Sequence, residues 1–369
     1  MPPRFTDLVK TLPESVPFVG PETHERQRGK PFIARIGANE SVFGPSPKAV
    51  KAMCAAAEDV WKYCDAESYE LKHALAAHHD VAAENIVIGE GIDGLLGLVV
   101  RMLVEQADTV ITSAGAYPTF NYHVTGFGGE LIKVPYAGDY EDPDALLDAA
   151  RAHDAKLVYI ANPDNPMGTA HNADVIARMI AESPENTVLC LDEAYAEFAD
   201  PDIAPPLDTN VPNVIRFRTF SKAYGMAGAR IGYAIASPEL ARAFDKVRNH
   251  FGVNKIAQEG ARAALEDQAY LADVQANVIA ARARIKAIAA DNGLSVVPSQ
   301  TNFVAVDCGR DGDFAKRVLS HLVEQGVFVR MPGVPPLDRC IRVSAGTDAD
   351  LDAFAAELPK ALYAAADPG

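Results

Sequence analysis

Between Ile86 and Ala236, short apolar runs alternate with segments that carry apolar residues at helical spacing. The helical segments include Asp93–Val104, Ala145–Ala152 and Asn172–Ala181. Such alternation is typical of right-handed βαβ crossovers, so it predicts an α/β fold with a mostly parallel, seven-stranded sheet covered by helices on both faces. The seven predicted strands are Ile86–Ile88, Thr109–Thr112, Leu131–Val134, Leu157–Ala161, Thr187–Leu191, Val214–Phe217 and Ile231–Ile235.

The pattern changes after Ala236, where strands and helices no longer alternate regularly. We predict a large domain at residues 49–256, a smaller α+β domain at residues 257–369, and an N-terminal arm at residues 1–48 that contributes to the small domain and the active site. The predicted helices are Pro238–His250, Ala257–Asp291 with a break near Asp267, Phe314–Gln325 and Ala349–Leu362. The predicted strands are Ser295–Val297, Phe303–Asp307, Val327–Arg330 and Ile341–Ser344.

Composition and charge exclude several classes of partner. The net charge of −16 argues against nucleic-acid binding, which needs a basic patch. No apolar run is long enough to span a membrane, and the N-terminus lacks the pattern of a secretion signal. The five cysteines are odd in number and form no C-x-x-C pair, which indicates reduced thiols, a cytoplasmic location and no metal site.

The most informative segment is Thr219–Arg230, which places Lys222 among small and hydroxyl-bearing residues. A lysine whose pKa is lowered by its surroundings is a nucleophile toward an aldehyde. The hydroxyls of Thr219 and Ser221 and the guanidinium of Arg230 are suited to bind a phosphate. A small molecule that has both an aldehyde and a phosphate is pyridoxal 5′-phosphate (PLP). The alternative interpretation of this segment is a surface lysine in a glycine-rich loop.

Residues that follow two other predicted strands support the PLP interpretation. Asn165 lies in a turn-rich loop after Leu157–Ala161, and Asp192 and Tyr195 follow the strand at Thr187–Leu191. Taken singly, Asp192 is typical of a helix N-cap and Asn165 of a turn. Parallel strands bring their carboxyl ends to one sheet edge, where Asp192 would pair with a pyridinium nitrogen while Asn165 and Tyr195 bind the ring hydroxyl.

The segment Gly89–Gly94 fits the pattern G-x-G-x-x-G between a predicted strand and a predicted helix. A dinucleotide site would also need an acidic residue after the next strand, and Ser113-Ala114-Gly115 stands there instead. Backbone amides at a helix N-terminus bind phosphate in either case. We therefore assign Gly91, Ile92 and Asp93 to the cofactor phosphate and leave the dinucleotide interpretation as an alternative.

These motifs together resemble a fold-type I, PLP-dependent aminotransferase of class I/II, and the pattern is most similar to the histidinol-phosphate aminotransferase family. The resemblance runs from Ala38–Ser41 through Asn162–Gly168, Asp192–Tyr195 and Thr219–Arg230 to Ile341–Thr347, nearly the whole chain. It implies that Lys222 binds the cofactor covalently and that Phe120 stacks on its ring. It also implies that Tyr63 reaches the phosphate in the partner subunit, so that the protein is a homodimer with shared active sites.

The resemblance also assigns residues to the small-molecule substrates, an amino donor and a 2-oxo acid acceptor. Arg342 would bind the substrate carboxylate, because a guanidinium matches a carboxylate in two parallel hydrogen bonds. Arg330 would contact a substrate phosphate or distal acid, or would be a solvated charge at a strand end. Asn39 would line the pocket and move as the small domain closes, unless the arm only packs there.

Several positions depart from the family pattern and leave the donor open. Met167 stands where the family has threonine, Ser41-Val42-Phe43 replaces asparagine-proline-tyrosine, and Ile92-Asp93-Gly94 replaces serine-aspartate-glutamate. Histidinol phosphate and aromatic amino acids are both candidate donors. A PLP-dependent decarboxylase or lyase on the same scaffold is the second hypothesis, and a nicotinamide-dependent oxidoreductase or a binding protein is the third.

Overall fold

The computed structural model describes residues 3–14 and 19–366. Its helices are α1 (Asp7–Thr11), α2 (Pro21–Arg28), α3 (Pro47–Ala57), α4 (Tyr69–His79), α5 (Gly91–Leu103), α6 (Pro118–Gly126), α7 (Pro143–Ala152), α8 (Ala173–Glu182), α9 (Pro238–Phe244), α10 (Lys255–Leu265), α11 (Gln268–Asp291), α12 (Gly312–Gln325) and α13 (Asp348–Ala366). Its strands are β1 (Ala34–Arg35), β2 (Ile86–Gly89), β3 (Thr109–Ser113), β4 (Glu130–Val134), β5 (Leu157–Ala161), β6 (Val188–Asp192), β7 (Val214–Thr219), β8 (Gly232–Ala236), β9 (Ser295–Val296), β10 (Phe303–Asp307), β11 (Val327–Phe328) and β12 (Cys340–Ser344).

The large sheet has seven strands in the order β2-β8-β7-β6-β5-β3-β4. Only β8 runs antiparallel to its neighbours, so the sheet is mostly parallel, as the sequence predicts. All seven predicted strands are present, and their bounds differ from the predictions by no more than two residues. The α/β fold class is therefore confirmed.

Helices bury the large sheet on both faces, which explains why its strands are continuous apolar runs rather than alternating ones. Leu95 and Val99 of α5 pack in one apolar cluster with Tyr159, whereas Leu146 of α7 and Ile176 of α8 pack in another. Helix boundaries follow local capping chemistry: for example, the predicted first helical residue Asn172 is instead the N-cap of α8, and its side chain accepts a hydrogen bond from the backbone N–H of Val175.

The C-terminal region forms a three-stranded sheet in which β10 lies between β12 and β9 and is antiparallel to both. The N-terminal segment joins this region, because β1 pairs in parallel with β11. The predicted break near Asp267 separates α10 from α11 as expected. The domain boundaries at residues 48 and 256 remain predictions.

Two predicted elements are too long. Helix α9 ends at Phe244 instead of His250, because the chain turns there and the guanidinium of Arg248 donates to the backbone oxygen of Ala66, 2.8 Å away. Strand β11 ends at Phe328, although Arg330 still exchanges backbone hydrogen bonds with Arg342. Within the described ranges, none of the helices is long and apolar enough to cross a membrane, and no cluster of side chains has the composition of a metal site.

Candidate active site

The ends of β5, β6 and β7 open into one pocket at the carboxyl edge of the large sheet. A cavity of about 230 Å³ lies there, and the first turn of α5 and the N-terminal segment at Ala38 and Glu40 also line it. Because parallel strands end at the same edge, residues far apart in sequence become neighbours. Of the predicted site residues, the cavity is lined by Ile92, Asp93, Asn165, Asp192, Tyr195, Thr219, Ser221, Lys222 and Arg230.

Lys222 presents its amine to this pocket. Its Nζ donates a hydrogen bond to the backbone oxygen of Asn39, 3.1 Å away. Burial, assisted by the positive charge of Arg342, lowers the pKa of Lys222 to about 8. A substantial fraction of the amine is therefore neutral near pH 8, which is the form that attacks an aldehyde.

Asp192, the last residue of β6, lies at the bottom of the pocket. Its carboxylate accepts hydrogen bonds from the Tyr159 hydroxyl at 2.7 Å and from the Ala194 backbone N–H at 2.9 Å. Burial raises the pKa of Asp192 to about 6, so the group is mostly ionised at neutral pH. The sequence analysis missed Tyr159, and the only signal for it was a hydroxyl-bearing residue within the otherwise aliphatic strand β5.

The opposite end of the pocket is suited to an anion. Helix α5 begins at Gly91, which has a φ of +77°. A Cβ at this position would lie 2.5 Å from Nη2 of Arg230, so glycine allows the guanidinium to approach the first turn of the helix. Arg230 Nη1 also lies 3.5 Å from Ser221 Oγ. Backbone N–H groups, a hydroxyl and a guanidinium thus converge where a phosphate would fit.

Asn39 and Tyr195 form one hydrogen-bonded pair at the pocket, and Asn165 and Arg342 form another. The Asn39 side chain donates to the Tyr195 hydroxyl at 3.0 Å, and Arg342 Nη1 donates to Asn165 Oδ1 at 2.5 Å. Burial raises the pKa of Tyr195 to about 12, so its hydroxyl stays protonated and available as a donor. The resemblance placed all four residues at the cofactor or substrate, and the structure brings them together there.

Phe120 does not lie in the pocket, which corrects its predicted place against the cofactor ring. Its side chain is fully buried and stacks on Tyr159 with 4.7 Å between ring centroids. Phe120 belongs to the face of α6 that packs against the sheet, whereas Tyr117 precedes the helix and lines the cavity. The Tyr117 hydroxyl donates to Asp93 Oδ1 at 2.7 Å, so Tyr117 is the aromatic residue positioned to contact a bound ring.

A second cavity of about 570 Å³ adjoins the first at Lys222 and Asn165. Arg330 and Arg342 line it, and Arg330 Nη2 donates to the backbone oxygen of Val19 at 2.8 Å. Burial lowers the pKa of Arg342 to about 10, and its Nε is buried without a hydrogen-bond partner among the described residues. An unsatisfied guanidinium N–H beside a cavity indicates an anionic ligand.

Tyr63 lies outside both cavities, on the molecular surface. Its side chain is 83% exposed, and its ring lies against that of Phe251, with 4.8 Å between ring centroids. Trp61, two residues earlier in the chain, is 79% exposed. Within one subunit Tyr63 therefore does not reach the pocket, and its predicted role in a partner subunit remains a prediction.

The chain is similar to proteins of known families along nearly all its length. The family model "Aminotransferase class I and II" matches residues 33–358. Histidinol-phosphate aminotransferase 2 of Ralstonia nicotianae is 38% identical over 89% of both chains, and histidinol-phosphate aminotransferase of Moorella thermoacetica is 32% identical over 98% of this chain and 93% of its own. The crystal structure of histidinol-phosphate aminotransferase from Sinorhizobium meliloti in complex with pyridoxal-5′-phosphate is 54% identical, covers 98% of both chains and superposes with a TM-score of 0.95.

Proposed function

The chain belongs to the class I and II aminotransferase family and is a PLP-dependent transaminase, and we propose that its amino donor is histidinol phosphate, with a 2-oxo acid as acceptor. The donor proposal rests first on the second cavity, where Arg330 and Arg342 present two guanidinium groups beside Lys222. A phosphate carries more charge than a carboxylate and benefits from two such groups. The names of the relatives described above support the same donor.

The residues of the first pocket fit the cofactor. Arg230, Ser221, Thr219 and the first turn of α5 would hold the phosphate, and Asp192 would pair with the pyridine nitrogen. Bound there, PLP supplies an electron sink for the carbanion that forms at the substrate α-carbon. Asn165 and Tyr195 would bind the ring oxygen.

The chain's own groups handle the substrate and the proton. Lys222 would hold the cofactor covalently between turnovers, and its freed amine would take the proton from the substrate carbon that bears the amino group. The pKa of about 8 places this amine close to the ambient pH, where proton transfer in both directions is efficient. Arg342 fixes the anionic group of the donor or acceptor, and Arg330 adds a second contact.

We further propose that the enzyme is a homodimer in which Tyr63 reaches the partner's cofactor phosphate. The support is an exposed apolar surface formed by Val60, Trp61, Tyr63 and Phe251, because large aromatic groups that are this exposed are typical of a protein interface. We place the enzyme in the cytoplasm, where its five unpaired cysteines stay reduced.

A half-reaction assay tests the donor. The PLP-loaded enzyme is mixed with histidinol phosphate, phenylalanine or glutamate, and the loss of the visible absorbance of bound PLP is followed over donor concentration. We expect the highest kcat/KM with histidinol phosphate, and Arg330→Gln should raise the KM for this donor about tenfold while changing that for phenylalanine much less. Lys222→Ala is the inactive control. If phenylalanine is the better donor, the donor proposal is wrong although the transaminase assignment stands.

Light scattering of the purified enzyme tests the dimer. Trp61→Asp places a charge on the proposed interface and should shift the mass toward one subunit, whereas Tyr363→Asp, at an equally exposed aromatic residue outside that surface, should leave it unchanged. A wild-type mass of one subunit would contradict the proposed shared site.

A further inference from the structure

Two buried carboxyl groups, Glu141 and Asp164, lie together behind the loop that carries Asn165. Glu141 accepts hydrogen bonds from Ser113 Oγ at 2.5 Å and from the Ala161 backbone N–H at 2.9 Å. Asp164 accepts from the Tyr136 hydroxyl at 2.9 Å and from the Met167 backbone N–H at 3.0 Å. Each of the four carboxyl oxygens therefore already accepts one hydrogen bond from a neighbour.

The two side chains also contact each other within hydrogen-bonding reach. Because ionised carboxylate oxygens only accept hydrogen bonds, a favourable contact between the two groups needs a proton on one of them. Burial raises the pKa of both groups, and the negative charge of Asp164 adds to this effect at Glu141. Two buried carboxylates at this distance cannot both ionise without a large penalty.

Asp164 fixes the shape of the loop that presents Asn165. Its side chain accepts from Met167, its backbone oxygen accepts from Gly168 N–H at 3.1 Å, and its own N–H donates to the Thr169 oxygen at 2.8 Å. Asn165, the next residue, lies within this turn and accepts from Arg342. A displacement of Asp164 is therefore transmitted directly to Asn165 and to the anion-binding guanidinium.

Several charged and titratable groups face the pair, among them Tyr159 on the side of Glu141 and Tyr195 on the side of Asp164. Tyr136 contacts Asp164 from the segment after β4, and Arg342 faces it from β12. The His171 ring contacts the backbone oxygen of Glu141, with Nε2 2.8 Å away. The nearby Asp139 is paired with Arg339 at 2.7 Å. The positive charge of Arg342 acts on Asp164, so it balances a single negative charge on the pair.

We propose that Glu141 and Asp164 share one proton, with Glu141 donating to Asp164, and that this pair is a positioning device that holds Asn165 and Arg342 in their binding geometry. Loss of the shared proton replaces a hydrogen bond by repulsion between two carboxylates and places a second negative charge near Arg342. Anionic substrates then bind less tightly at alkaline pH. The proposal rests on the placement of Asn165 and Arg342 in the active site proposed above.

Infrared spectroscopy of the PLP-loaded enzyme in D₂O at pH 7.5 tests the shared proton directly. The wild-type spectrum should contain a protonated-carboxyl band that is lost in Glu141→Gln, whose amide keeps a donor toward Asp164 but carries no titratable proton. Asp164→Asn, which replaces the other carboxyl group of the pair, should also remove this band. This readout does not depend on which amino donor the enzyme uses. If neither variant removes a protonated-carboxyl band, the shared proton does not exist.

The pH dependence of the KM for the 2-oxo acid acceptor tests the positioning role. As the pH rises, the wild-type KM should increase about tenfold more than that of Glu141→Gln, because one buried hydrogen bond is worth about that factor. Glu197→Gln is the matched control: burial raises the pKa of Glu197 to about 7, but it lies in the network of Arg218 and Glu193, so this variant should follow the wild-type profile. Parallel profiles for wild type and Glu141→Gln would overturn the positioning role.

Discussion

Replacing Tyr159 by phenylalanine tests how far one hydroxyl group lowers the pKa of Asp192. The Tyr159 hydroxyl donates to Asp192 Oδ2 at 2.7 Å, and both side chains are buried. A hydrogen bond to a buried charged group is worth about 1.5–3 kcal/mol. The substitution removes this contact from the ionised form of Asp192, while the backbone N–H of Ala194 still donates.

The expected shift follows from that free energy. One pKa unit corresponds to ~1.4 kcal/mol, so the pKa of Asp192 should rise by ~1–2 units. In the wild-type protein it is about 6, and Asp192 is mostly ionised at pH 7. In Tyr159→Phe the pKa should therefore be ~7–8, and Asp192 would be half-protonated or more at pH 7.

Cofactor affinity reports this change, because only the ionised carboxylate pairs with a protonated pyridine nitrogen. The dissociation constant of PLP should be measured by equilibrium dialysis from pH 5.5 to 8.5. We expect binding to weaken below about pH 6 in the wild type but already below pH ~7–8 in Tyr159→Phe. The variant should regain most of its affinity at the alkaline end.

Tyr233→Phe is the matched control for this experiment. Tyr233 is equally buried, but its hydroxyl contacts His79 at 2.8 Å instead of Asp192. Its profile should coincide with that of the wild type. If Tyr159→Phe also leaves the pH midpoint of PLP binding within about half a unit, then Asp192 does not depend on this hydroxyl and the reasoning is refuted.

Four further substitutions test other parts of the site. Arg342→Lys should raise the KM for the 2-oxo acid about 10- to 100-fold in steady-state assays, because an ammonium group cannot form the two parallel hydrogen bonds of a guanidinium with a carboxylate. An unchanged KM would mean that Arg342 does not bind the substrate. Gly91→Ala should weaken PLP binding about tenfold in dialysis. The new Cβ would clash with Arg230, and a φ of +77° is unfavourable for a residue with a side chain. Unchanged PLP binding would mean that the first turn of α5 does not hold the phosphate. Tyr117→Ala should weaken PLP binding about 2- to 10-fold. Phe120→Leu should leave PLP affinity unchanged but lower the free energy of unfolding by about 1 kcal/mol in denaturant titrations. If Phe120→Leu weakens PLP binding and Tyr117→Ala does not, Phe120 is the stacking residue.

Much of the fold could be predicted because its signals are local. Each central strand is buried on both faces and therefore appears in the sequence as an uninterrupted apolar run, as in Leu157–Ala161. Helix α10 is separated from α11 where the apolar spacing breaks near Asp267. Elements whose ends depend on distant partners were predicted less well: Arg248 and the backbone of Ala66 are 182 residues apart, and their contact falls beyond the end of α9.

The chemistry of the site was also visible before the fold. Lys222, Asp192 and Asn165 follow predicted strands, and their order along the chain carries the family resemblance. Family membership confirms the transaminase and the cofactor, and it decides among the activities that the residues left open. The individual roles of the site residues remain predictions that the substitutions above address.

The sequence by itself determined the order of the seven strands of the large sheet along the chain, the cofactor class and the residues at the strand ends, because these depend on side-chain type and on spacing within short segments. Only the tertiary structure decided which aromatic group faces the pocket. Tyr117, just before α6, lines the cavity, whereas Phe120, three residues later, is buried in the core. It also decided that Tyr159 supports Asp192 and that Glu141 meets Asp164. These pairs join side chains that are 33 and 23 residues apart, and their contacts depend on the packing of neighbouring strands and loops, which no local pattern encodes.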